Sequence, residues 1–329
     1  MRRLFAFALL ATAFTANAQS WRALSSSPPF GRFLVATDPV DARVVYVENA
    51  NRDGVLRSLD RGATWQTLPV SGNPRAIAIS MNVVAIAFTS GQLARSTDNA
   101  TWPVSSIPAL ISGSVNDIVA DPANPNIVYV AIGCVSGCSG GVIKSVDGGT
   151  TWSATALTGH HISRLVVDPF DGSIVYAGNI DEIAVYRTTD GGAHWSSILP
   201  SSAAVPEMSI DPSVPTTIYS LGTSSLLRSL DRGDHWQTVS AIPSSFGVPF
   251  YTAVNPTNTS QIVVVTSSTV IRSSDGGTTW SRIDTGLNAT VQHPVFARDG
   301  ILYAPSPTLG VMAFGPLPVV KPRRRGAAH

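Results

Sequence analysis

Few side chains in this sequence are suited to acid–base chemistry. The chain has three glutamates, Glu48, Glu182 and Glu207. Asp181 and Glu182 are neighbours, and two positioned carboxyl groups can serve as general acid and general base. Adjacent carboxylates in a polar loop are also commonly just solvated. Glu207, Asp181 and Glu182 are therefore kept as catalytic candidates, and no catalytic residue is assigned.

A second set of residues is suited to binding. Arg32, Arg75 and Arg164 stand at the starts of predicted strands, and a guanidinium group can bind a carboxylate through two parallel hydrogen bonds. Tyr251 offers aromatic contact to a sugar or a peptide, although packing within the protein explains it equally well. These four residues are the first binding candidates.

Two residue pairs raise the question of a metal. His160 and His161 are adjacent, and Cys134 and Cys138 lie close together in a glycine-rich loop. Neither pair has a second pair of ligands at the spacing typical of metal sites, so we expect no metal and no cofactor. The histidines remain binding candidates. The cysteines are expected to form a local disulfide in an oxidising compartment.

The element that must position these residues is a repeated ten-residue phrase, best preserved as IKSVDGGTTW. It predicts a short strand, a tight turn at Asp-Gly and a returning strand that begins at Trp. Glycine tolerates the positive φ of such turns, and the Asp carboxylate accepts backbone N–H groups. These aspartates are therefore interpreted as structural. The six copies carry Asp60 and Trp65, Asp98 and Trp102, Asp147 and Trp152, Asp190 and Trp195, Asp231 and Trp236, and Asp275 and Trp280.

A second phrase precedes most copies, with two apolar runs joined at Asp-Pro or Asn-Pro. Together the two phrases give four strands per repeat, and the repeated aspartates lie 38 to 49 residues apart. This period predicts the blades of an all-β propeller. The last repeat, 291–315, has three strands, and residues 20–24 resemble the missing one. We therefore predict seven four-stranded antiparallel blades, with the N-terminal strand closing the ring in the last blade; six blades is the alternative.

The repeated phrase resembles the Asp-box (BNR) motif, S-x-D-x-G-x-T-W. That family includes bacterial sialidases, sortilin-type receptors, two-propeller xyloglucanases and photosystem II assembly propellers. The resemblance implies a propeller but not one function, because the family contains enzymes, receptors and scaffolds. In sialidases the active site lies on the rim opposite the Asp boxes, with three arginines, a Tyr–Glu pair and an Asp acid. The sialidase Arg-Ile-Pro motif is absent here, where the nearest string is GRFL at 31–34.

The two ends of the chain indicate export. Residues 1–18 read as a signal peptide cleaved after Ala18, with a charged start, an apolar run and a small-x-small site. Residues 19–315 are expected to form one propeller domain, and 316–329 a disordered Pro/Arg-rich tail. The tail could contact anionic envelope polymers, but a solvated end is favoured. We predict a secreted or periplasmic protein without a membrane span.

Charge further restricts the function. The formal net charge is +1, and six positive charges lie in the two ends, so the body between them is acidic. This argues against nucleic-acid binding. The sequence favours a monomeric, non-catalytic module that binds a protein segment or a glycan through the rim opposite the Asp boxes. The main alternative is a sialidase-like glycoside hydrolase using rim carboxylates. Another is an assembly factor like the photosystem propellers.

Overall fold

The computed structural model describes residues 20–24, 34–49, 51–134, 138–179, 181–198, 203–287, 289–306 and 308–315. The expected signal peptide, the expected tail and Arg32 lie outside these ranges. Within them, no helix is long and apolar enough to cross a membrane.

The chain forms seven four-stranded antiparallel sheets, each built from consecutive strands except the last. This confirms the predicted all-β propeller with seven blades. Blade 1 holds β2 (Val35–Thr37), β3 (Val45–Glu48), β4 (Val55–Ser58) and β5 (Gln66–Thr67); blade 2 holds β6 (Pro74–Ser80), β7 (Val83–Phe88), β8 (Gln92–Ser96) and β9 (Val104–Ser106); blade 3 holds β10 (Ser114–Ala120), β11 (Val128–Gly133), β12 (Gly141–Ser145) and β13 (Ser153–Thr158); blade 4 holds β14 (Ile162–Val167), β15 (Val175–Asn179), β16 (Ala184–Thr188) and β17 (Ser196–Ser197); blade 5 holds β18 (Ala203–Ile210), β19 (Ile218–Gly222), β20 (Ser225–Ser229) and β21 (Gln237–Ala241); blade 6 holds β22 (Pro249–Val254), β23 (Ile262–Thr266), β24 (Val270–Ser273) and β25 (Ser281–Arg282); blade 7 holds β26 (Val295–Phe296), β27 (Leu302–Ser306), β28 (Gly310–Phe314) and β1 (Trp21–Ala23).

The N-terminal strand closes the ring, as the sequence predicts. β1 pairs with β28 in antiparallel register, with Trp21 opposite Phe314 and Ala23 opposite Met312. The first strand of each blade lies beside the first strands of the neighbouring blades around the axis, and β2 of blade 1 meets β26 of blade 7. The alternative of six blades is therefore wrong.

The hydrophobic core lies between the blades. In the described part of the chain it divides into seven apolar clusters, each shared by two neighbouring blades and each including one tryptophan. Tyr129, on a second strand, is fully buried and donates to the carbonyl oxygen of Gly172 in the next blade at 3.1 Å. Lys144 lies over the Tyr129 ring and donates to the carbonyl oxygen of Gly191 at 2.9 Å. Neighbouring blades are thus joined by polar contacts as well as by apolar packing.

The repeated phrase folds as a turn closed by its own side chains. In blade 3, Asp147 accepts the amide and the hydroxyl of Thr151, at 2.8 and 2.6 Å. Ser145 Oγ donates to Asp147 and accepts the amide of Gly149, at 2.8 Å each. Gly149 has a φ of 91°, and a Cβ there would lie 2.4 Å from Leu93 of blade 2. The hydrogen bonds from Thr151 lower the pKa of Asp147 to about 2. This carboxylate is used within its turn.

Replacing Trp152 with Ala tests the packing of these turns. The half-buried ring packs on the cluster between blades 2 and 3, and its Nε1 donates to the carbonyl oxygen of Gly149 at 3.2 Å. We expect a loss of about 3 kcal/mol in the free energy of unfolding, as for other aromatic truncations in a core. Urea denaturation measures it, with Trp152→Phe as the control that keeps most of the apolar area. A loss below about 0.5 kcal/mol, typical of surface positions, would contradict the packing role.

The predicted disulfide is confirmed. Cys134 and Cys138 are bonded, with their Cα atoms 5.5 Å apart, in the loop that follows β11. Among the described residues, no group of three or more His, Cys, Asp or Glu side chains is arranged to hold a metal ion.

Candidate functional site

Polar side chains converge where the first strands of five consecutive blades surround the axis. In each of these blades, the backbone amide of one residue closes the turn between the first and second strands. The polar side chain belongs to the residue four positions before it. The equivalent positions in blades 1 and 2 hold Leu34 and Ala76, so the polar set belongs to blades 3–7. This set, the axial cluster, consists of Asp117, Arg164, Glu207, Tyr251 and His293.

Irregular pairing accompanies the cluster. The ladder between the first and second strands shifts register in each of blades 2 to 6, next to Arg75, Asn116, Ser163, Glu207 and Phe250 respectively. Such bulges bend a strand and change the direction of its side chains, and they are frequent beside functional sites. The propeller therefore departs from regular sheet geometry near its axial polar groups.

Arg164 is the centre of the axial cluster. Its Nη1 lies 3.4 Å from Nδ1 of His293, so it reaches across the axis from blade 4 to blade 7. Its Nε lies 3.9 Å from Oδ2 of Asp117 and is buried without a hydrogen-bond partner among the residues that the structure describes. Burial acts to lower the pKa of Arg164, but the negative charges of Glu207 and Asp117 outweigh burial and raise it. Arg164 therefore stays a cation.

Asp117 is occupied by backbone groups. Its Oδ1 accepts the amide of Ile118, and its Oδ2 accepts the amide of Leu165 in the next blade, both at 2.9 Å. Burial raises its pKa, although Arg164 and these amides act in the opposite direction. Asp117 thus ties blade 3 to blade 4, and each of its two oxygens already accepts one amide.

Glu207 differs from Asp117 because its half-buried carboxyl group receives no hydrogen bond from the described residues. No side chain or amide in the described part of the chain donates a hydrogen bond to this carboxyl group. Burial raises its pKa to about 7, with Arg164 opposing and Asp117 adding to the shift. A large fraction of Glu207 is therefore protonated, and a hydrogen-bond donor, at neutral pH.

His293 and Tyr251 complete the axial cluster. Their ring centroids are 4.3 Å apart. Burial and the nearby positive charges of Arg164 and Arg75 lower the pKa of His293 to about 3, so its ring is neutral and its Nδ1 accepts from Arg164. His293 also has a φ of 38°, a backbone region that non-glycine residues rarely adopt and that is enriched at functional sites. Burial and Glu207 raise the pKa of Tyr251, which keeps its hydroxyl proton.

The sequence-predicted candidates occupy two places. Arg164, Glu207 and Tyr251 belong to the axial cluster. Arg75 is exposed beside it, and its Nη2 donates to Oδ1 of Asn116 at 3.2 Å. His161 lies next to Asn116, with its Nε2 3.4 Å from the amide nitrogen.

Asp181 and Glu182 face different partners. Asp181 lies 3.2 Å from Nδ1 of His161, while Glu182 lies 3.3 Å from Nδ1 of His160 and accepts the hydroxyl of Tyr186 at 2.7 Å. The next residue, Ile183, has a φ of 49°, which is unusual for a β-branched side chain. The loop therefore holds each carboxylate against its own histidine, and the two do not face a common point as an acid–base pair.

The axial cluster can offer a ligand mainly hydrogen-bond donors. The guanidinium groups of Arg164 and Arg75, the Tyr251 hydroxyl and the protonated form of Glu207 are all donors. Both oxygens of Asp117 already accept amides, and Nδ1 of His293 already accepts from Arg164. The arrangement favours a ligand group rich in acceptor oxygens.

Three members of this region, Asp117, His293 and Asn116, were not among the binding or catalytic candidates chosen from the sequence, although His293 could be placed on this rim. A signal for the first two was present, because each stands at the same four-residue offset from the inner turn as Arg164. Asn116 has no comparable signal, since its role depends on contacts to two other blades.

No protein-family model matches this chain. A xyloglucanase from a Paenibacillus species is 28% identical over 306 residues, covering 76% of this chain and 26% of that protein. The chain spans about a quarter of the length of the curated relatives it matches.

Solved structures share the propeller fold. A structure of YCF48 bound to D1 peptide superposes with a TM-score of 0.70 at 14% identity, covering 94% of this chain and 98% of that chain. The GH74 xyloglucanase from Xanthomonas campestris superposes with a TM-score of 0.66 at 16% identity, covering 90% of this chain and 53% of that chain. At these identities the likeness concerns the fold alone.

Proposed function

We propose that this propeller is an exported, non-catalytic module that binds a protein segment or a glycan across the face opposite its Asp-box turns. The observation that carries this proposal is the axial cluster, in which five consecutive blades each supply one polar side chain at the same register. Stability of the fold does not explain this arrangement of polar side chains, because the apolar clusters between the blades already hold the ring together. Binding function also tends to concentrate where irregular backbone meets a rigid scaffold.

The free groups of the site support binding more than catalysis. The donors of Arg75, Arg164 and Tyr251 suit the carbonyl oxygens of an extended peptide, a carboxylate, or the hydroxyl and ring oxygens of a sugar. Most glycoside hydrolases use two carboxyl groups on opposite sides of the bond to be broken, and the sialidase pattern needs an Asp acid beside its Tyr–Glu pair. Asp117 is the other carboxyl group of the axial cluster, and its oxygens accept backbone amides.

The structural neighbours are consistent with a protein partner. A propeller of nearly the same extent as this one was solved with a peptide bound. We also propose that this chain is an Asp-box propeller, because the turns of blades 1, 3 and 6 combine the motif's Ser, Asp, Gly and Thr in one hydrogen-bond pattern. Export through a signal peptide ending at Ala18 is part of the same proposal, and the Cys134–Cys138 disulfide supports an oxidising compartment.

Arg75 provides the test of the binding face. Purified residues 19–329 are applied to a peptide array and to an oligosaccharide array that includes acidic and neutral chains. We expect Arg75→Ala to weaken association with the strongest probe about tenfold, the equivalent of about 1.4 kcal/mol. Arg43→Ala is the matched control, since Arg43 is also an exposed arginine but lies on the Asp-box side, paired with Asp41 at 2.7 Å. Equal effects of the two substitutions, or no binding to either array by folded protein, would contradict the proposal.

One observation favours the alternative, a glycoside hydrolase. Glu207 has the raised pKa of a general acid and lies in a half-buried site close to Arg164 and Tyr251. Turnover of fluorogenic aryl glycosides, including a sialoside, and of xyloglucan decides between the two functions. Hydrolysis abolished by Glu207→Gln but kept by Glu182→Gln would establish the enzyme and replace the binding proposal.

A further inference from the structure

We propose that His161 is a positioning residue for Arg75. Asp181 holds the His161 ring in the form protonated at Nδ1. The ring's Nε2 fixes the side-chain amide of Asn116, and Asn116 in turn fixes the guanidinium group of Arg75 beside the axial cluster. The chain of contacts runs from a rim loop of blade 4, through blade 3, to blade 2. This inference extends the proposed function and rests on it, because it treats Arg75 as a residue that contacts the ligand.

The two contacts of Asn116 to groups of known polarity determine its orientation. Its Oδ1 accepts from Nη2 of Arg75 at 3.2 Å, and its Nδ2 donates to the carbonyl oxygen of Ile162 at 3.0 Å. A rotated amide would place its NH₂ group against the guanidinium and its oxygen against a carbonyl oxygen. Asn116 is therefore locked with its amino group toward His161.

The lock on Asn116 fixes the tautomer of His161. Its Nε2 lies 3.4 Å from Nδ2 of Asn116, which is a donor, so Nε2 must be an acceptor and carries no proton. The ring proton is then on Nδ1, where it is donated to Oδ2 of Asp181 at 3.2 Å. Asp181 thus has a role in the site without acting as an acid or a base.

The end of β11 leaves room for this arrangement. A Cβ on Gly133 would lie 1.7 Å from Nδ2 of Asn116 and 2.9 Å from Nε2 of His161. Gly133 does not have a positive φ, so space rather than backbone conformation explains the glycine here. The contact between Asn116 and His161 depends on the missing side chain.

The neighbouring histidine, His160, does not belong to this network. Its Nδ1 and the carboxylate of Glu182 both lie against the hydroxyl of Tyr186.

Nuclear magnetic resonance tests the proposal without any ligand, so its failure is distinguishable from failure of the proposed function. In the wild-type protein at about pH 8, the nitrogen resonances of His161 are expected to show an unprotonated Nε2 and a protonated Nδ1. A proton on Nε2 in the neutral ring would overturn the proposal. This measurement needs no substitution and therefore does not depend on a variant that folds.

The mobility of Arg75 supplies the second readout. The order parameter of its Nε–H bond is expected to fall from about 0.85 in the wild-type protein to below about 0.6 in His161→Phe. His161→Gln should restore the rigid value, because a glutamine amide can accept from Asn116 and donate to Asp181. His160→Phe is the matched control and should leave Arg75 rigid. An equally rigid Arg75 in His161→Phe, or a Gln variant as mobile as the Phe variant, would refute the positioning role.

Discussion

Deletion of residues 20–24 is expected to lower the melting temperature on the order of 10 °C, more than the substitution Trp152→Ala. Trp21 and Leu24 expose only 3% and 5% of their surface, and both contribute to the apolar clusters beside blade 7. Removing two such side chains from a core costs at least about 5 kcal/mol, and about 1 kcal/mol shifts the melting temperature of a large domain by roughly 2–4 °C. Calorimetry of the truncated protein measures the change.

The same deletion leaves β28 as an exposed edge strand, which promotes aggregation. A synthetic peptide of residues 19–25 should therefore raise the melting temperature of the truncated protein again by occupying the vacant edge. The same peptide with Ser in place of Trp21 is the control and should have little effect. An unchanged melting temperature after deletion would refute closure of the ring by the N-terminal strand.

Glu207→Gln is expected to stabilise the protein at about pH 8 by about 2 kcal/mol and to leave its stability at about pH 4 unchanged. The folded-state pKa is about 7 and the ordinary glutamate value is 4.5, so between these values the folded state keeps a proton that the unfolded state has lost. Wild-type stability therefore falls as pH rises through this window, by up to about 1.36 kcal/mol per unit, and the partial exposure of Glu207 reduces the total. Gln resembles the protonated acid and has no such dependence.

Urea titrations of both proteins at several pH values measure this difference. His293, whose pKa is lowered to about 3, makes the folded state less stable as pH falls below the ordinary histidine range. That effect is common to both proteins and cancels in their difference. Glu182→Gln is the matched control on the exposed rim. A stability difference that does not change between pH 4 and 8 would contradict the buried, unsupported state of Glu207.

The fold could be predicted from the sequence because a propeller blade is specified locally. The hydroxyl residue, the Asp and the Gly of a complete turn act within five residues, as in the contacts of Ser145, Asp147 and Gly149, and such a turn therefore leaves its whole pattern in the sequence. Ring closure required a comparison over a longer distance, in which residues 20–24 resemble the strands that follow the Asp-box turns and the last repeat lacks such a strand.

The axial cluster was less predictable because its contacts join residues of different blades. Arg164 and His293 are 129 positions apart in the chain, and their side-chain nitrogens are 3.4 Å apart in the structure. Glu207 and Tyr251 could be chosen by residue type, but the burial that raises the pKa of Glu207 depends on neighbours from other blades. Asp181 and Glu182 show the opposite case, since they are adjacent in the sequence but the loop turns their side chains to different histidines.

The pairing of β1 with β28 also brings the two ends of the ring together in one sheet. The strands that hold Trp21 and Phe314 therefore lie side by side in blade 7. Arg164 and Glu207 belong to blades 4 and 5. A circular permutant opened between β5 and β6, with a short linker joining the old ends, should keep every inter-blade cluster and the axial cluster intact. The propeller is thus suited to insertion into the loop of another protein as a self-contained unit, with its candidate binding face unobstructed.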